Sequence, residues 1–113
     1  MGYWVYLVRC GDNTIYTGAT TDLVRRVKEH NSGAARGKGA KYTASHLPVT
    51  LAQAWEVETW SEALRLEYAI KRCTRIEKDQ LIKQPELIYH LAERRGLKFS
   101  ILEVYRESVN PAN

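Results

Sequence analysis

The first twenty residues constrain the fold of this chain more than any other stretch. Residues 3–10, YWVYLVRC, are rich in β-branched and aromatic side chains, and residues 14–19, TIYTGA, resume that composition after Gly11-Asp12-Asn13. Gly, Asp and Asn in succession supply the turn chemistry that joins two strands, so the segment reads as an antiparallel hairpin. Gly18 ends it, and a glycine in a strand marks a place where a backbone or a ligand approaches closely.

A helix follows. Thr20 or Thr21 offers an N-cap, Asp22 suits the first turn, and Asn31-Ser32-Gly33 supplies the stop after His30. Leu23 and Val27 form its apolar stripe. At 100° per residue Arg26 and His30 flank that stripe, at the edge of the core. Residues 32–46, SGAARGKGAKYTASH, read as a basic, glycine-rich loop. Pro48 precedes a third strand, about 49–57. Thr59-Trp60-Ser61-Glu62 matches a capping box and opens a helix to about Cys73; Thr74-Arg75-Ile76-Glu77 matches a second and opens another, stopped near Gln84 by Pro85. A short helix over about 86–95 ends at Gly96. Residues 97–105 suit an extra strand, and residues 110–113 a frayed tail. The order is ββα, loop, β, αα, extension: helices segregated against a small sheet, an α+β domain.

At 113 residues, 44% hydrophobic and 27% charged, the chain is ordinary for one globular domain. Its net charge of +4 suits a polyanionic partner without requiring one. Cys10 and Cys73 show no CxxC or Cys/His spacing, which argues against zinc and for two reduced thiols in a cytoplasmic protein. No apolar run approaches the roughly 18 residues of a membrane span, and MGYWVYLVRC lacks the build of a leader, so no membrane role is expected.

Five side chains stand out as carriers of chemistry. Tyr6 and Tyr16, ten residues apart on paired strands, are placed to share one face of the hairpin. Tyrosines also pair across strands for packing alone. Arg26 beside the apolar stripe aims a fork of donors at the sheet, a geometry suited to a phosphate. His30 is four residues on and shares that face; it either shuttles a proton or simply complements the helix C-terminus. Glu67 borders the apolar arc of Ala63, Leu66, Ile70 and Cys73. It either pairs with Lys71 or, with waters and a substrate phosphate, holds Mg²⁺. Arg25 adds charge beside Arg26. Arg36, Lys38, Lys41 and Tyr42 mix charge with an aromatic ring among glycines, as a surface that tracks nucleic acid would.

These residues carry a resemblance. Val5-Tyr6-Leu7, Tyr16-Thr17-Gly18, Thr20 to Arg26, His30-Asn31, Gly39 to Thr43 and Ser61 to Glu67 are ordered and spaced as in the GIY-YIG endonuclease domain, of the small stand-alone bacterial type. The match covers about residues 3–83. It implies a nuclease-like domain over residues 1–84 and a C-terminal extension, 85–113, with no assigned role. The implied fold is a three-stranded antiparallel sheet flanked by helices, ββαβαα, with a short helix and strand in the extension. The implied activity is metal-dependent hydrolysis of DNA phosphodiesters in repair, recombination or processing, with Mg²⁺ or Mn²⁺. Carried across by position, Tyr6 and Tyr16 become active-site phenols, Arg26 the phosphate-binding arginine and Glu67 the metal-binding carboxylate; His30 matches a histidine found in some members. Thr17 stands where the signature has isoleucine, and Ala19 where some members have lysine. Family members usually gain specificity from an attached domain, so a protein partner supplying it is part of the expectation. The alternative on the same fold is a non-catalytic module that binds nucleic acid or protein.

Overall fold

The computed structural model describes residues 2–33 and 40–106. Strands β1 (Tyr3–Arg9) and β2 (Ile15–Thr20) form the hairpin and α1 (Leu23–Ser32) follows. A short helix, α2 (Ala40–Ala44), precedes β3 (Thr50–Val57). Then come α3 (Trp60–Lys71), α4 (Arg75–Lys83), a 3₁₀ turn at Pro85–Leu87, α5 (Ile88–Arg94) and β4 (Glu103–Val104). The sheet is antiparallel throughout, in the order β2-β1-β3-β4.

The hairpin register places Tyr6 opposite Gly18 and Val8 opposite Tyr16. Residues directly opposed share a face, so both tyrosines project to the same side of the sheet. On that side Tyr6, Val8 and Ala54 pack with Leu23 of α1 and with Val49. On the other side Val5, Leu7, Trp55 and Val57 pack with Ala63, Leu66 and Ile70 of α3, Leu81 of α4 and Ile88 and Leu91 of α5. Central β1 is thus buried on both faces, which explains its nearly continuous apolar run.

Local sequence chemistry sets most boundaries. Both capping boxes are formed: Thr59 and Glu62 exchange side-chain and backbone hydrogen bonds, and so do Thr74 and Glu77. Gly33 ends α1 in the left-handed region, φ 80°, where glycine pays no Cβ penalty. The α1 N-cap differs from the expectation of Thr20 or Thr21. Thr20 belongs to β2 and its hydroxyl accepts from the Asp22 N–H, so Asp22 becomes the cap and accepts from the Arg25 N–H.

Two further differences have clear causes. The segment expected to be loop contains α2, held from outside: the Tyr42 hydroxyl donates to Thr14 Oγ1 at 2.6 Å, and the Tyr42 ring stacks on His46. Among the described residues of the extension, Glu103–Val104 forms a strand against Trp55 and Glu56 and adds a fourth to the three expected. Backbone bonds from Leu102 N–H to the Glu56 carbonyl and from Tyr105 N–H to the Ala54 carbonyl, both 2.8 Å, hold its flanks, and side chains add to them. Trp55 Nε1 donates to the Pro85 carbonyl at 3.0 Å and Gln53 Nε2 to the Tyr105 carbonyl at 2.7 Å.

Candidate active site

Tyr6, Tyr16, Gly18, Ala19, Arg26, Trp60, Leu64 and Glu67 line one cleft of about 220 Å³. It straddles the free edge of β2. Helix α1 brings Arg26 from the tyrosine face, and α3, packed on the opposite face, brings Glu67 around the edge. Four of the five side chains singled out for chemistry therefore meet. Arg26 and Glu67 are both mostly shielded, with 18% and 16% of their side-chain surface exposed.

Tyr6 lies at the floor, 1% exposed. Its ring passes directly over β2, where the backbone leaves room only because residue 18 is glycine: a Cβ there would sit 2.4 Å from the Tyr6 hydroxyl oxygen. The close approach that Gly18 signalled is thus that of a phenol from the neighbouring strand. Burial pushes the Tyr6 pKa up to about 12, against the opposing pull of a hydrogen bond and positive charge from Arg26. Burial, and then the charge of Glu67, raise the Tyr16 phenol too.

His30 does not line the cleft. It is 1% exposed and stands behind Tyr6, with Nε2 3.2 Å from the Tyr6 hydroxyl and Nδ1 2.7 Å from Thr43 Oγ1. Burial, and then the nearby Arg26 charge, lower its pKa, so the imidazole is neutral near pH 7. The tautomer follows from the partners. A protonated Tyr6 that accepts from Arg26 donates its own hydrogen to Nε2. The remaining ring proton is then on Nδ1 and is donated to Thr43. The result is a buried chain running from Tyr6 through His30 to Thr43.

Around the cleft, Lys71 Nζ sits 3.2 Å from Glu67 and 6.0 Å from the Tyr16 ring centre. Arg26 meets Glu29 at 3.4 Å. Burial works against the Arg26 charge, but the hydrogen bonds to Tyr6 and Glu29 outweigh it and its pKa is raised. The Tyr16 ring contacts His30 edge-on and stacks with Tyr42.

Of the residues marked for nucleic acid, Arg25 is exposed on α1 with Glu29 3.6 Å away. Tyr42 is partly exposed, its ring between Tyr16 and His46. Arg36, Lys38 and the side chain of Lys41 lie outside the described residues. Sequence reasoning missed Thr43, Trp60 and Leu64 as neighbours of the chemistry. Thr43 is fully buried although Tyr42 and Ala44 on either side are exposed, and only its place after Lys41-Tyr42 hinted at a role.

Among the described residues no three His, Cys, Asp or Glu side chains gather as a ready-made metal site. Among the described residues that line the cleft, Glu67 alone offers a hard carboxylate oxygen. That donor set suits Mg²⁺ or Mn²⁺, ions that accept one carboxylate with waters and substrate phosphate for the rest. It does not suit zinc, which takes three or four protein ligands.

The model of the GIY-YIG catalytic domain matches residues 2–80. A UPF0213 protein of Halobacterium salinarum is 49% identical over 77 residues, 68% of this chain and 95% of the relative. Another, from Halalkalibacterium halodurans, is 44% identical over 82 residues, 73% of this chain and 83% of the relative. A solution NMR structure of a UPF0213 protein from Bacillus halodurans is 33% identical, covers 87% of this chain and 100% of its own, and has a TM-score of 0.48. The chain belongs to the GIY-YIG family of nucleases.

Proposed function

We propose that this protein is a divalent-metal-dependent endonuclease that hydrolyses phosphodiester bonds of DNA, in repair, recombination or processing. The observation that carries the reading is the meeting of Arg26, Glu67, Tyr6 and Tyr16 in one cleft. A guanidinium, a carboxylate and two phenols, with an imidazole behind them, supply what phosphoryl transfer to water needs.

Arg26 binds the scissile phosphate and offsets the charge that grows on its oxygens in the transition state. Water attacks phosphorus, the bond to the 3′ oxygen breaks, and the products carry a 5′ phosphate and a 3′ hydroxyl. Tyr6 takes the proton of that water. Its own pKa of about 12 makes it a poor base by simple ionisation, so it passes its hydroxyl proton to His30 Nε2 as it accepts the new one. Thr43, accepting from Nδ1, keeps Nε2 free for that proton. Tyr16 closes the wall and orients the phosphate. Glu67 would hold Mg²⁺ or Mn²⁺, which when bound would supply Lewis-acid charge for phosphoryl transfer. The sequence assigns contact with the DNA backbone and bases to Arg25, Arg36, Lys38, Lys41 and Tyr42.

The test is cleavage of plasmid, single-stranded and branched DNA with Mg²⁺ or Mn²⁺, beside Tyr6→Phe, Arg26→Ala and Glu67→Ala. Loss of about a hundredfold or more in each variant is expected. Cleavage that persists undiminished in all three refutes the site; salt-sensitive binding without any cleavage makes the protein a binding module instead.

A further inference from the structure

A second surface feature adjoins the cleft. Trp60, Leu64 and Tyr68 recur at every fourth residue of α3 and form one exposed ridge, 41%, 44% and 63% accessible. Single exposed apolar residues are ordinary, but three in one row are a patch. Trp60 and Leu64 also line the catalytic cleft. From Leu64 onward the ridge borders a separate groove of about 310 Å³, walled by Leu64, Tyr68 and Leu97 and rimmed by Arg65, Arg72 and Arg95.

Two of the three rim charges lie over aromatic rings. Arg72 lies over the Tyr68 ring and Arg65 over Phe99, each 5.6 Å from the ring centre. Among the described residues none of the three guanidinium groups pairs with a carboxylate, whereas Arg25, Arg26, Arg75, Arg94 and Arg106 all do. The groove therefore combines an apolar slot, an aromatic face and a positive rim. It shares Leu64 with the cleft where a phosphate is to be held.

We propose that this groove between α3 and the end of α5 binds an unpaired nucleotide of the substrate strand beside the scissile phosphate. This rests on the nuclease reading of the cleft. The occupant follows from chemistry. The arginine rim calls for phosphates, and the slot calls for a flat apolar face. A duplex shows phosphates outside but keeps its base faces stacked within. Only an unpaired base offers a face to Tyr68 while its phosphates reach Arg65, Arg72 and Arg95. Trp60 and Tyr68 are eight residues apart, about 12 Å along the helix, so the ridge leads a strand away from the cleft over one or two nucleotides.

The test uses the full chain, fluorescein-labelled twelve-residue oligothymidylate and a twelve-base-pair duplex, with anisotropy read in EDTA so that nothing is cut. Tyr68→Ala and the double variant Arg72→Gln/Arg95→Gln change only exposed side chains, and circular dichroism checks their folding. Each is expected to weaken the single strand about tenfold and the duplex less than twofold. The arginine double variant is also expected to lower the slope of log affinity against log salt by about one to two. Unchanged single-strand affinity in both variants, or equal losses for strand and duplex, overturns the proposal. So does a wild-type dimer in sedimentation that Tyr68→Ala dissolves, because the groove is then covered by a second copy. If the variants bind normally while the wild type cleaves, the groove proposal alone fails. If the wild type neither binds nor cleaves DNA, the nuclease reading fails first.

Discussion

The Tyr6 hydroxyl and His30 Nε2 lie 3.2 Å apart, both residues 1% exposed, and this pair couples the floor of the cleft to the interior. Burial disfavours the charged form of both: it raises the phenol and lowers the imidazole. Stability must therefore change at both ends of the pH scale. Above pH 10 the unfolded chain releases the Tyr6 proton while the folded one holds it to about 12, so stability falls across that window. Over two units the loss is about 3 kcal/mol. Below about pH 6.5 the unfolded chain protonates His30 while the folded one resists, so stability falls as pH drops from about 6.5 and levels off below the folded pKa. Urea denaturation of wild type, Tyr6→Phe and His30→Gln across pH checks both limbs. The alkaline limb must shrink in the first variant and the acid limb in the second.

Thr43 is the far end of the same chain of hydrogen bonds. Thr43→Val keeps the shape and removes the acceptor of the Nδ1 proton. A buried donor left without a partner costs about 1–3 kcal/mol. On the proposed mechanism the tautomer is also no longer held, so kcat falls about tenfold or more while KM stays within a factor of two. Thr43→Ser restores the acceptor and is expected to recover most of the rate. Rescue that is absent by serine would leave Thr43 as packing alone.

Gly18 makes the Tyr6 position available. In Gly18→Ala the new Cβ meets the phenol at 2.4 Å to the oxygen and 2.5 Å to Cζ, and the rigid ring, in a residue only 1% exposed, cannot yield by a small shift. It must leave its place over β2, which breaks the bond to His30. Overpacking of this kind costs about 1–3 kcal/mol. Thermal denaturation reads that loss, and a cleavage assay is expected to show activity as low as in Tyr6→Phe. A variant with wild-type activity would show that Tyr6 need not lie where it does.

Legibility follows the range of the interactions. The hairpin, the two capping boxes and the Gly33 stop depend on residues within a few positions of each other, and the sequence displays them. The α1 cap lies one or two residues beyond the Thr20 or Thr21 that the sequence suggests, because Thr20 is claimed by β2, a strand paired with β1. Helix α2 was unreadable because it depends on Tyr42 reaching Thr14, 28 residues away. The site divides in the same way. Arg26 was readable from its angle to Leu23 and Val27, and Glu67 from its border position on α3. Whether His30 faced the cleft or stood behind it depended on Tyr6 and Thr43, which helix geometry does not report. The groove beyond Leu64 needed Leu97, brought back from the extension.

On the proposed function Lys71 would compete with a metal ion for Glu67, which it meets at 3.2 Å. An i,i+4 pair of this kind is worth about 0.3–0.5 kcal/mol, so its removal frees the carboxylate by about a factor of two. In Lys71→Met, which keeps an unbranched side chain of similar length without the charge, the half-maximal Mg²⁺ concentration for cleavage is therefore expected to fall about twofold. Glu67→Gln should do the reverse. The amide keeps the size of the side chain but brings no charge, so saturation by Mg²⁺ is expected to be lost while the fold persists, since Glu67 borders the core rather than filling it. The pair of titrations tells two roles apart. Opposite shifts mark Glu67 as the ligand. If both variants keep the wild-type Mg²⁺ dependence, the Glu67–Lys71 pair is only a helix-surface ion pair and the metal is held elsewhere.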